Sequence, residues 1–357
     1  LVQGGGLSEA EAEHLLKQGL PVAREHAHEL SSHLRKFVEW EDHILHGDIG
    51  EALLDEYRKF VEQLPTYPSG ASAWGWTPLE EVEKRRADPT LTPFCLFTAY
   101  FANVYFGLRQ CVEIDSLRLA IDRCPDQSHK QWMLGALIAA MSKLGTTYAG
   151  HFAQPLVKDP QDLTVRKLSG ILERRAASIT HEFSIRLLSL ARESEQASRP
   201  IEVIRGPWQD ALVTLDRMLG TEPVAVYVDA PYKREEYGRY YHVLETLVSY
   251  AYPSCVGRGK IPDKQKGERF RSEFFTKSKE KVTAALVRVL SEVLGRDWMC
   301  IWSYSDSGNA NIVDVVEQVV STVKCEVRSY ATPYEHKPQG GRRKKEVTEY
   351  LILFVPA

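Results

Sequence analysis

The chain has 357 residues, of which 43% are hydrophobic and 26% charged, a composition ordinary for a globular protein. The net charge of −3 excludes a whole-chain attraction to nucleic acids or membranes, so any polyanion site must be a local patch. The absence of a long apolar run, of a signal sequence and of any Cys-x-x-Cys pair among the six cysteines predicts a cytoplasmic protein without membrane contact, structural zinc or a disulfide framework.

A helical region is predicted at the start of the chain. Residues 8 to 64 have helical spacing of apolar residues, and "SEAE" at residues 8 to 11 is typical of a capping box. The loop-forming stretch "YPSGASAWGWTP" and then "RRADPTLTP" follow. The sequence therefore predicts a helical N-terminal region over 1–90 and a second domain over 91–357.

The second domain alternates apolar runs with helical patterns. Strands are predicted at "CVEID" (111–115), "IEVIR" (201–205) and "VAVYV" (224–228), within "DWMCIWSYSDSG" (297–308) and at "EVTEYLILFVPA" (346–357). Helices are predicted over 132–141 and within 161–196, and "GTTYAGHFAQPL" (145–156) is predicted to be a loop. Strands that alternate with helices predict an α/β fold with a parallel-rich sheet.

Three acids follow predicted strands or their turns, namely Asp115, Asp210 and Asp229. Ligands of open α/β sheets bind beyond the carboxyl ends of the strands, so these three acids are candidate ligand-binding residues. Asp115 is suited to accept hydrogen bonds from ribose hydroxyls, and a helix-capping role for it is equally common.

The stretch Asp229-Ala230-Pro231-Tyr232 is more specific. Proline fixes its own φ and cannot donate a ladder hydrogen bond, so it ends the strand and holds the turn rigid. The turn presents a carboxylate and backbone carbonyls that suit the exocyclic amine of a base, and Tyr232 offers a ring for stacking. The alternative is a strand-ending turn with an aromatic residue in the core.

Aromatic and basic residues follow this turn. Residues 255 to 281 contain nine Lys or Arg against four acids, and "KPQGGRRKK" (337–345) forms a second basic stretch. Each patch alone is more often a solvated charged surface, but beside the aromatic turn the two patches favour contacts with nucleic acid. The candidate nucleic-acid-binding residues are Tyr237, Tyr240, Tyr241, His242, Arg258, Lys260, Arg269, Arg271, Arg342 and Arg343.

The stretch "VYVDAPYKREEYGRYYHVLETLV" (226–248) resembles the Asp-Pro-Pro-Tyr region of Dam-type DNA adenine-N6 methyltransferases. Further segments are similar to that family in the same order: "CVEIDSLRLAID", "GHFAQPL", "IRGPWQDAL", "WSYSDSG" and "EYLILF". The resemblance covers about residues 91 to 357. Residues 8 to 90 have no counterpart in it.

The resemblance implies a Rossmann-like S-adenosylmethionine-dependent methyltransferase sheet with a helical N-terminal region and inserted DNA-contacting segments, for which 155–200 and 252–281 are candidates. It also implies S-adenosylmethionine as cofactor, double-stranded DNA as partner, a flipped-out target adenine and no metal. Asp229 and the Ala230 carbonyl would hold the amine and Tyr232 would stack on the base. Asp115 would bind ribose, and Asp210 would lie near the cofactor adenine. Restriction-modification or phage defence is the expected setting, with further defence proteins as partners.

The chain departs from the family pattern at three places. Ala230 replaces a proline, and "FTAYFANVYFG" (97–107) stands where the glycine-rich first-strand motif is expected, which leaves Asn103 and Gly107 as candidate cofactor-binding residues. The N-terminal Gly-Lys motif is not visible, since Gly4 to Gly6 lack the lysine. Two alternatives stay open: methylation of another amine, such as cytosine N4 or an RNA adenine, and a DNA-binding or assembly subunit without methyl transfer.

Overall fold

The chain divides into two compact units. The computed structural model describes residues 6–69, 77–88, 94–148, 150–157, 159–196, 202–232, 237–253, 257, 259–262, 272–336 and 345–357. Unit 1 comprises Leu1–Val203 and Arg239–Glu268, and unit 2 comprises Ile204–Gly238 and Arg269–Ala357. No helix among the described residues is both long and apolar enough to cross a membrane.

The division predicted near residue 90 differs from this arrangement, because residues on both sides of that position share one core. The ring of Tyr67 stacks on that of Tyr100 at 4.6 Å between centroids. The Tyr67 amide also donates to the Ala99 carbonyl at 2.8 Å. The N-terminal helices therefore belong to the same unit as the residues that follow.

Unit 1 is mainly helical. The predicted capping box is confirmed: the Ser8 side chain accepts from the Glu11 amide, and the Glu11 side chain accepts from the Ser8 amide. The helices predicted over 8–64, 132–141 and 161–196 are confirmed too. The helices that precede residue 203 all belong to unit 1: α1 (Glu9–His33), α2 (Arg35–Leu45), α3 (Glu51–Gln63), α4 (Pro78–Ala87), α5 (Leu96–Tyr100), α6 (Leu108–Arg123), α7 (Gln127–Leu144), α8 (Val165–Ala176) and α9 (Ile179–Gln196).

Helix α6 is the central helix of unit 1, and it overturns the strand predicted at 111–115. Twelve of its sixteen residues are buried, on all sides of the helix. A helix that is buried all round has no polar face, so its short apolar runs resemble those of a buried strand. Asp115 therefore lies inside a helix and not at the end of a strand.

Carboxylates from other helices satisfy the first amides of α6 and α5. Glu41 of α2 accepts from the amides of Leu108 and Arg109, both at 2.7 Å. Asp115 of α6 accepts from the amides of Phe97 and Thr98 at 2.9 and 2.8 Å. These amides would otherwise lack partners inside the helices, so both acids act as helix caps that the local sequence does not supply.

The segment predicted to be a loop at 145–156 contains a β-hairpin instead. Strand β1 (Thr147–Tyr148) pairs antiparallel with β2 (His151–Pro155), and Gly150 has a φ of +79°. Glycine adopts this left-handed conformation without strain, which permits the tight reversal. The chain returns to unit 1 within the short helix α11 (Tyr237–Tyr240) and continues as α12 (His242–Ser249).

Unit 2 is a small α/β unit with a mixed four-stranded sheet in the order β3-β4-β6-β5. Strands β3 and β4 are parallel, and β6 pairs antiparallel with both β4 and β5. Trp302 and Phe354 of the sheet belong to one buried core with Leu290 and Val315 of the helices. Its elements, apart from the start of α11, are α10 (Trp208–Leu219), β3 (Ala225–Val228), α13 (Lys279–Leu294), β4 (Met299–Ser305), α14 (Ile312–Thr322), β5 (Cys325–His336) and β6 (Lys345–Pro356).

The sheet confirms three of the predicted strands and corrects the rest. Residues 224–228 and 297–308 contain β3 and β4, and residues 346–357 overlap β6. The strand predicted at 201–205 is wrong, because its described residues 202–205 have no strand pairing. The parallel-rich sheet is wrong as well: β3 and β4 form the one parallel pair among the described strands, so the fold is α/β in the coarser sense of a mixed sheet with helices.

Candidate functional site

The Asp229–Tyr232 turn lies where the sequence predicts it, directly after a strand. Val228, the last residue of β3, is paired with Trp302 of the parallel strand β4. The next residues of the two strands, Asp229 and Ser303, therefore lie at the same edge of the sheet. Carboxyl ends of parallel strands are the usual location of ligand sites in α/β sheets. The turn therefore has the position of a binding site.

Two acceptors of this turn have no hydrogen-bond donor among the described residues. The Asp229 side chain is exposed, whereas Ala230 is buried with 7% of its surface accessible. Within the part of the chain that the structure describes, no donor is bonded to the Asp229 carboxylate or to the Ala230 carbonyl. An exposed carboxylate and a nearby carbonyl can together accept both hydrogens of an amino group.

Tyr232 is held from several sides. Its hydroxyl lies 2.8 Å from the Ser303 hydroxyl, and its ring packs edge-on against Tyr304 at 5.3 Å. The amide of Asn309 donates to the Tyr232 carbonyl at 2.7 Å. Partial burial, with the nearby Asp229 charge as a smaller cause, raises the pKa of Tyr232, so the phenol keeps its proton at neutral pH. The ring is thus a fixed, neutral and partly exposed surface.

The loop after β4 supports Tyr232 through Tyr304. The Ala310 amide donates to the Tyr304 hydroxyl at 3.0 Å. Gly308 packs directly against the same ring: an added Cβ would lie 2.6 Å from Cζ and 2.8 Å from the hydroxyl oxygen of Tyr304. A glycine is required at this position because Tyr304 is fully buried and cannot move aside.

We expect Gly308→Ala to displace the Tyr304 ring and to lower the free energy of unfolding of unit 2 by about 1 to 3 kcal/mol, the usual cost of overpacking. Urea denaturation followed by tryptophan fluorescence measures this, since Trp302 lies 5.0 Å from Tyr304. Gly295→Ala, at the end of α13, is the matched control in the same unit. Equal stabilities of the wild-type chain and Gly308→Ala would contradict the expected clash.

Of the predicted cofactor residues, Asp115, Asn103 and Gly107 belong to unit 1, and Asp210 belongs to unit 2. Asp115 is fully buried in α6 and, besides two amides, accepts from the hydroxyls of Thr98 and Tyr250 at 2.7 and 2.6 Å. Burial raises the pKa of Asp115 to about 7, although these hydrogen bonds act in the opposite direction. Gly107 is the first residue before α6 and packs against Glu41. Asp210 is exposed in the first turn of α10.

The other predicted cofactor residue, Asn103, lines a cleft of about 620 Å³ inside unit 1. Lys260, predicted to bind nucleic acid, lines the same cleft. Lys260 is buried and donates from Nζ to the Tyr67 carbonyl, so it does not contribute to an exposed basic surface. The structure therefore brings together two residues to which the sequence assigns different ligands.

The aromatic residues after the turn have separate environments. His242 is buried, and its Nε2 lies 3.0 Å from the Phe152 carbonyl, so it is a core residue and not a surface contact for DNA. Tyr240 stacks on His151 at 5.1 Å, Tyr241 is exposed, and Tyr237 is partly exposed. Five predicted nucleic-acid contacts lie outside the described residues: Arg258, Arg269, Arg271, Arg342 and Arg343.

The residues that sequence reasoning missed are Ser303, Tyr304 and Asn309. The "WSYSDSG" segment contains the end of a predicted strand, and this position is the signal in the sequence for Ser303. The described residues contain no group of three or more His, Cys, Asp or Glu placed to hold a metal ion.

Comparisons with models of protein families, with curated proteins and with solved structures found no match to this chain. The resemblance to Dam-type methyltransferases therefore stays a prediction from the sequence.

Proposed function

We propose that the chain is a site-specific DNA methyltransferase that modifies the N6 amine of adenine, with the Asp229–Tyr232 turn as the site that holds the target base. The observation that carries the proposal is a pair of acceptors without a described donor, the Asp229 carboxylate and the Ala230 carbonyl, beside the fixed ring of Tyr232. Adenine presents an amine with two hydrogens next to a flat ring. The turn offers a partner for each of these features.

The chemistry of the turn follows from its acceptors. Hydrogen bonds from the amine to Asp229 and Ala230 draw its hydrogens toward oxygen and increase the electron density on nitrogen. Stacking on Tyr232 orients the base and restrains its rotation, and base–aromatic stacking contributes about 1 to 3 kcal/mol. Positioning of this kind is an established source of rate acceleration. A base inside a duplex must be flipped out to reach such a turn.

S-adenosylmethionine is the cofactor that the sequence resemblance implies, and it would supply the methyl group. Two of the residues assigned to it do not fit that role in this structure. The carboxylate of Asp115 is occupied by four hydrogen bonds inside unit 1, and Gly107 packs against Glu41.

The test is transfer of labelled methyl from S-adenosylmethionine to double-stranded DNA by the full chain, followed by nucleoside analysis of the product. Label in N6-methyladenine supports the proposal. Label in N4-methylcytosine, or transfer to RNA alone, would assign the turn to a different amine. If the folded chain binds DNA but transfers no methyl group, the proposed methyltransferase activity is wrong.

A second candidate is a DNA-binding or assembly subunit that retains the turn without methyl transfer. The position of Asp115 favours it, because the acid expected at the cofactor ribose is committed to capping α5. Titration calorimetry with S-adenosylmethionine separates the candidates. Saturable binding supports the methyltransferase, and the lack of any heat of binding supports the subunit.

A further inference from the structure

Unit 2 has a surface pocket where α13 and α14 begin, beyond the end of β4. Its volume of about 440 Å³ lies within the range of about 300 to 1,000 Å³ that is usual for ligand pockets. Its lining comes from the first residue of α13, the loop after β4, the start of α14 and Tyr350 of β6. All these residues belong to unit 2, so one compact unit forms the pocket.

Lys279 gives this pocket an accessible positive charge. The residue is exposed, and within the described part of the chain its side chain has neither an ion pair nor a hydrogen bond. Lys277 and Lys281 are exposed as well and flank it along the chain. The acid between them, Glu280, accepts from the Ser278 hydroxyl at 2.6 Å. The beginning of α13 is therefore locally positive, and the Lys279 ammonium is available to a ligand.

Two asparagine side chains add hydrogen-bonding groups to the lining. Asn311 is the N-cap of α14, and its Oδ1 accepts from the amides of Val313 and Asp314. Because Oδ1 is engaged in this way, Nδ2 is a donor. Asn311 is exposed, and its Nδ2 has no acceptor among the described residues. The side chain of Asn309, which is half-buried, has no described partner either.

Asp306 is the one acid among the described residues that line the pocket. Its Oδ2 accepts from the Thr348 amide at 3.1 Å, whereas its Oδ1 has no described donor. No ion pair joins it to Lys279 in the described ranges, so the acid does not neutralise the lysine by contact. The lining therefore suits a ligand that carries hydrogen-bond donors as well as a negative charge.

Tyr350 and the start of α14 supply the apolar part of the lining. Tyr350 is half-buried and packs against the core of unit 2, whereas Val313 has 59% of its surface exposed. An aromatic ring at such a position can pack against a flat ligand. The pocket thus combines a cation, amide donors, a carboxylate oxygen and an aromatic ring.

We propose that this pocket binds a nucleotide, with its phosphate at Lys279 and Asn311, a hydroxyl or N–H group at Asp306 and its base against Tyr350. Nucleotides meet these requirements together, since each carries a phosphate, hydrogen-bond donors and a flat base. The nucleotide is either a free molecule or one unit of a nucleic-acid strand. The site goes beyond the proposed methyl transfer and does not depend on it, because binding here requires neither S-adenosylmethionine nor a target adenine.

Titration calorimetry on the full chain tests the proposal with thymidine 5′-monophosphate and with single-stranded oligothymidylate. Thymine lacks the exocyclic amine that the Asp229–Tyr232 turn is proposed to hold. Thymidine, which lacks the phosphate, and inorganic phosphate, which lacks the base, are the reference probes. We expect at least one of the two nucleotide probes to bind at least about ten-fold more tightly than either reference, equivalent to about 1.4 kcal/mol.

The two nucleotide probes also identify the source of the nucleotide. Tighter binding of oligothymidylate indicates a nucleic-acid strand, and binding of the mononucleotide at least as tightly indicates a free nucleotide. Equal binding of thymidine or of phosphate would overturn the proposal. Failure of both nucleotide probes to bind would overturn it as well.

Lys279→Gln keeps most of the side-chain length and removes the charge. We expect it to weaken binding of the tighter nucleotide probe about three- to ten-fold, with an unchanged melting temperature because no described partner is lost. Lys281→Gln is the matched control, since it removes the same charge from a residue that does not line the pocket. Residues two positions apart on a helix do not face each other, so this variant should bind nearly as the wild type does. Equal losses in both variants would show that the nucleotide does not lie in the pocket.

Asn311→Asp tests the second proposed phosphate contact. Aspartate is as good an N-cap as asparagine, so α14 should keep its stability. The substitution replaces the Nδ2 donor with a carboxylate oxygen, which repels a phosphate, and should weaken nucleotide binding at least about ten-fold. Melting temperature is the check on folding. Unchanged affinity in both Lys279→Gln and Asn311→Asp would disprove the assigned site.

Discussion

Replacing Asp229 with alanine is expected to reduce methyl transfer to adenine by about 100-fold or more, the loss that follows removal of one preorganised polar group from a reacting centre. The carboxylate is exposed, and no described donor is bonded to it, so its removal leaves no buried group unsatisfied. Melting temperature and DNA affinity should therefore change little. The measurement is the initial rate of label transfer at saturating S-adenosylmethionine and DNA.

Two controls isolate the role of Asp229. Asp314→Ala removes another exposed acid of unit 2, in the first turn of α14, and should retain the wild-type rate. Asp229→Asn keeps the size of the side chain but replaces one acceptor with a donor, so it should lose nearly as much activity as the alanine variant. An Asp229→Asn enzyme with the full rate would show that the turn does not hold the amine through this carboxylate.

The second large effect is expected at Asp115, where alanine should lower the free energy of unfolding by about 3 to 5 kcal/mol. The substitution leaves the amides of Phe97 and Thr98 and the Tyr250 hydroxyl without their acceptor in a fully buried position. Asp122→Ala is the control on the same helix. Its carboxylate is 54% exposed and pairs with Arg118 at 3.3 Å, so it should cost no more than about 1 kcal/mol.

The same carboxylate predicts a pH dependence of stability. Burial raises the pKa of Asp115 to about 7 in the folded chain, against about 3.9 for an unfolded aspartate. Between these values the folded chain retains a proton that the unfolded chain releases, so this group makes the free energy of unfolding fall as the pH rises. Asp115→Asn removes the titration, and its stability deficit relative to wild type should shrink between pH 4.5 and pH 7, as measured by urea denaturation at the two values. A constant deficit would contradict the raised pKa.

The parts of the fold that the sequence predicts are those with local signals. Ser8 and Glu11 define the start of α1, and the apolar runs of β3, β4 and β6 identify them as strands. Strand β5 was missed because it is an edge strand whose exposed charged and polar residues dilute its pattern. The strand predicted at 111–115 is wrong for the opposite reason. Because α6 is buried on every side, its apolar residues do not follow the helical spacing that identifies a half-buried helix.

The candidate site was predictable only in part. Pro231 and the preceding apolar run predict the turn correctly at the end of β3. The partners of Tyr232 come from Ser303 and Asn309, more than seventy residues away, and only the parallel pairing of β3 with β4 brings them together. The role of Asp115 was unpredictable for the same reason: the amides that it caps become its neighbours only when α5 packs against α6.

The two helix caps supplied by distant residues are expected to couple the stability of three helices of unit 1. Glu41 of α2 secures the start of α6, and Asp115 of α6 secures the start of α5, so each helix end depends on a helix that must already be docked. Fraying at either end cannot proceed residue by residue, because it exposes a buried carboxylate at the same time. Helices α2, α5 and α6 should therefore open together as a single unit of amide hydrogen exchange.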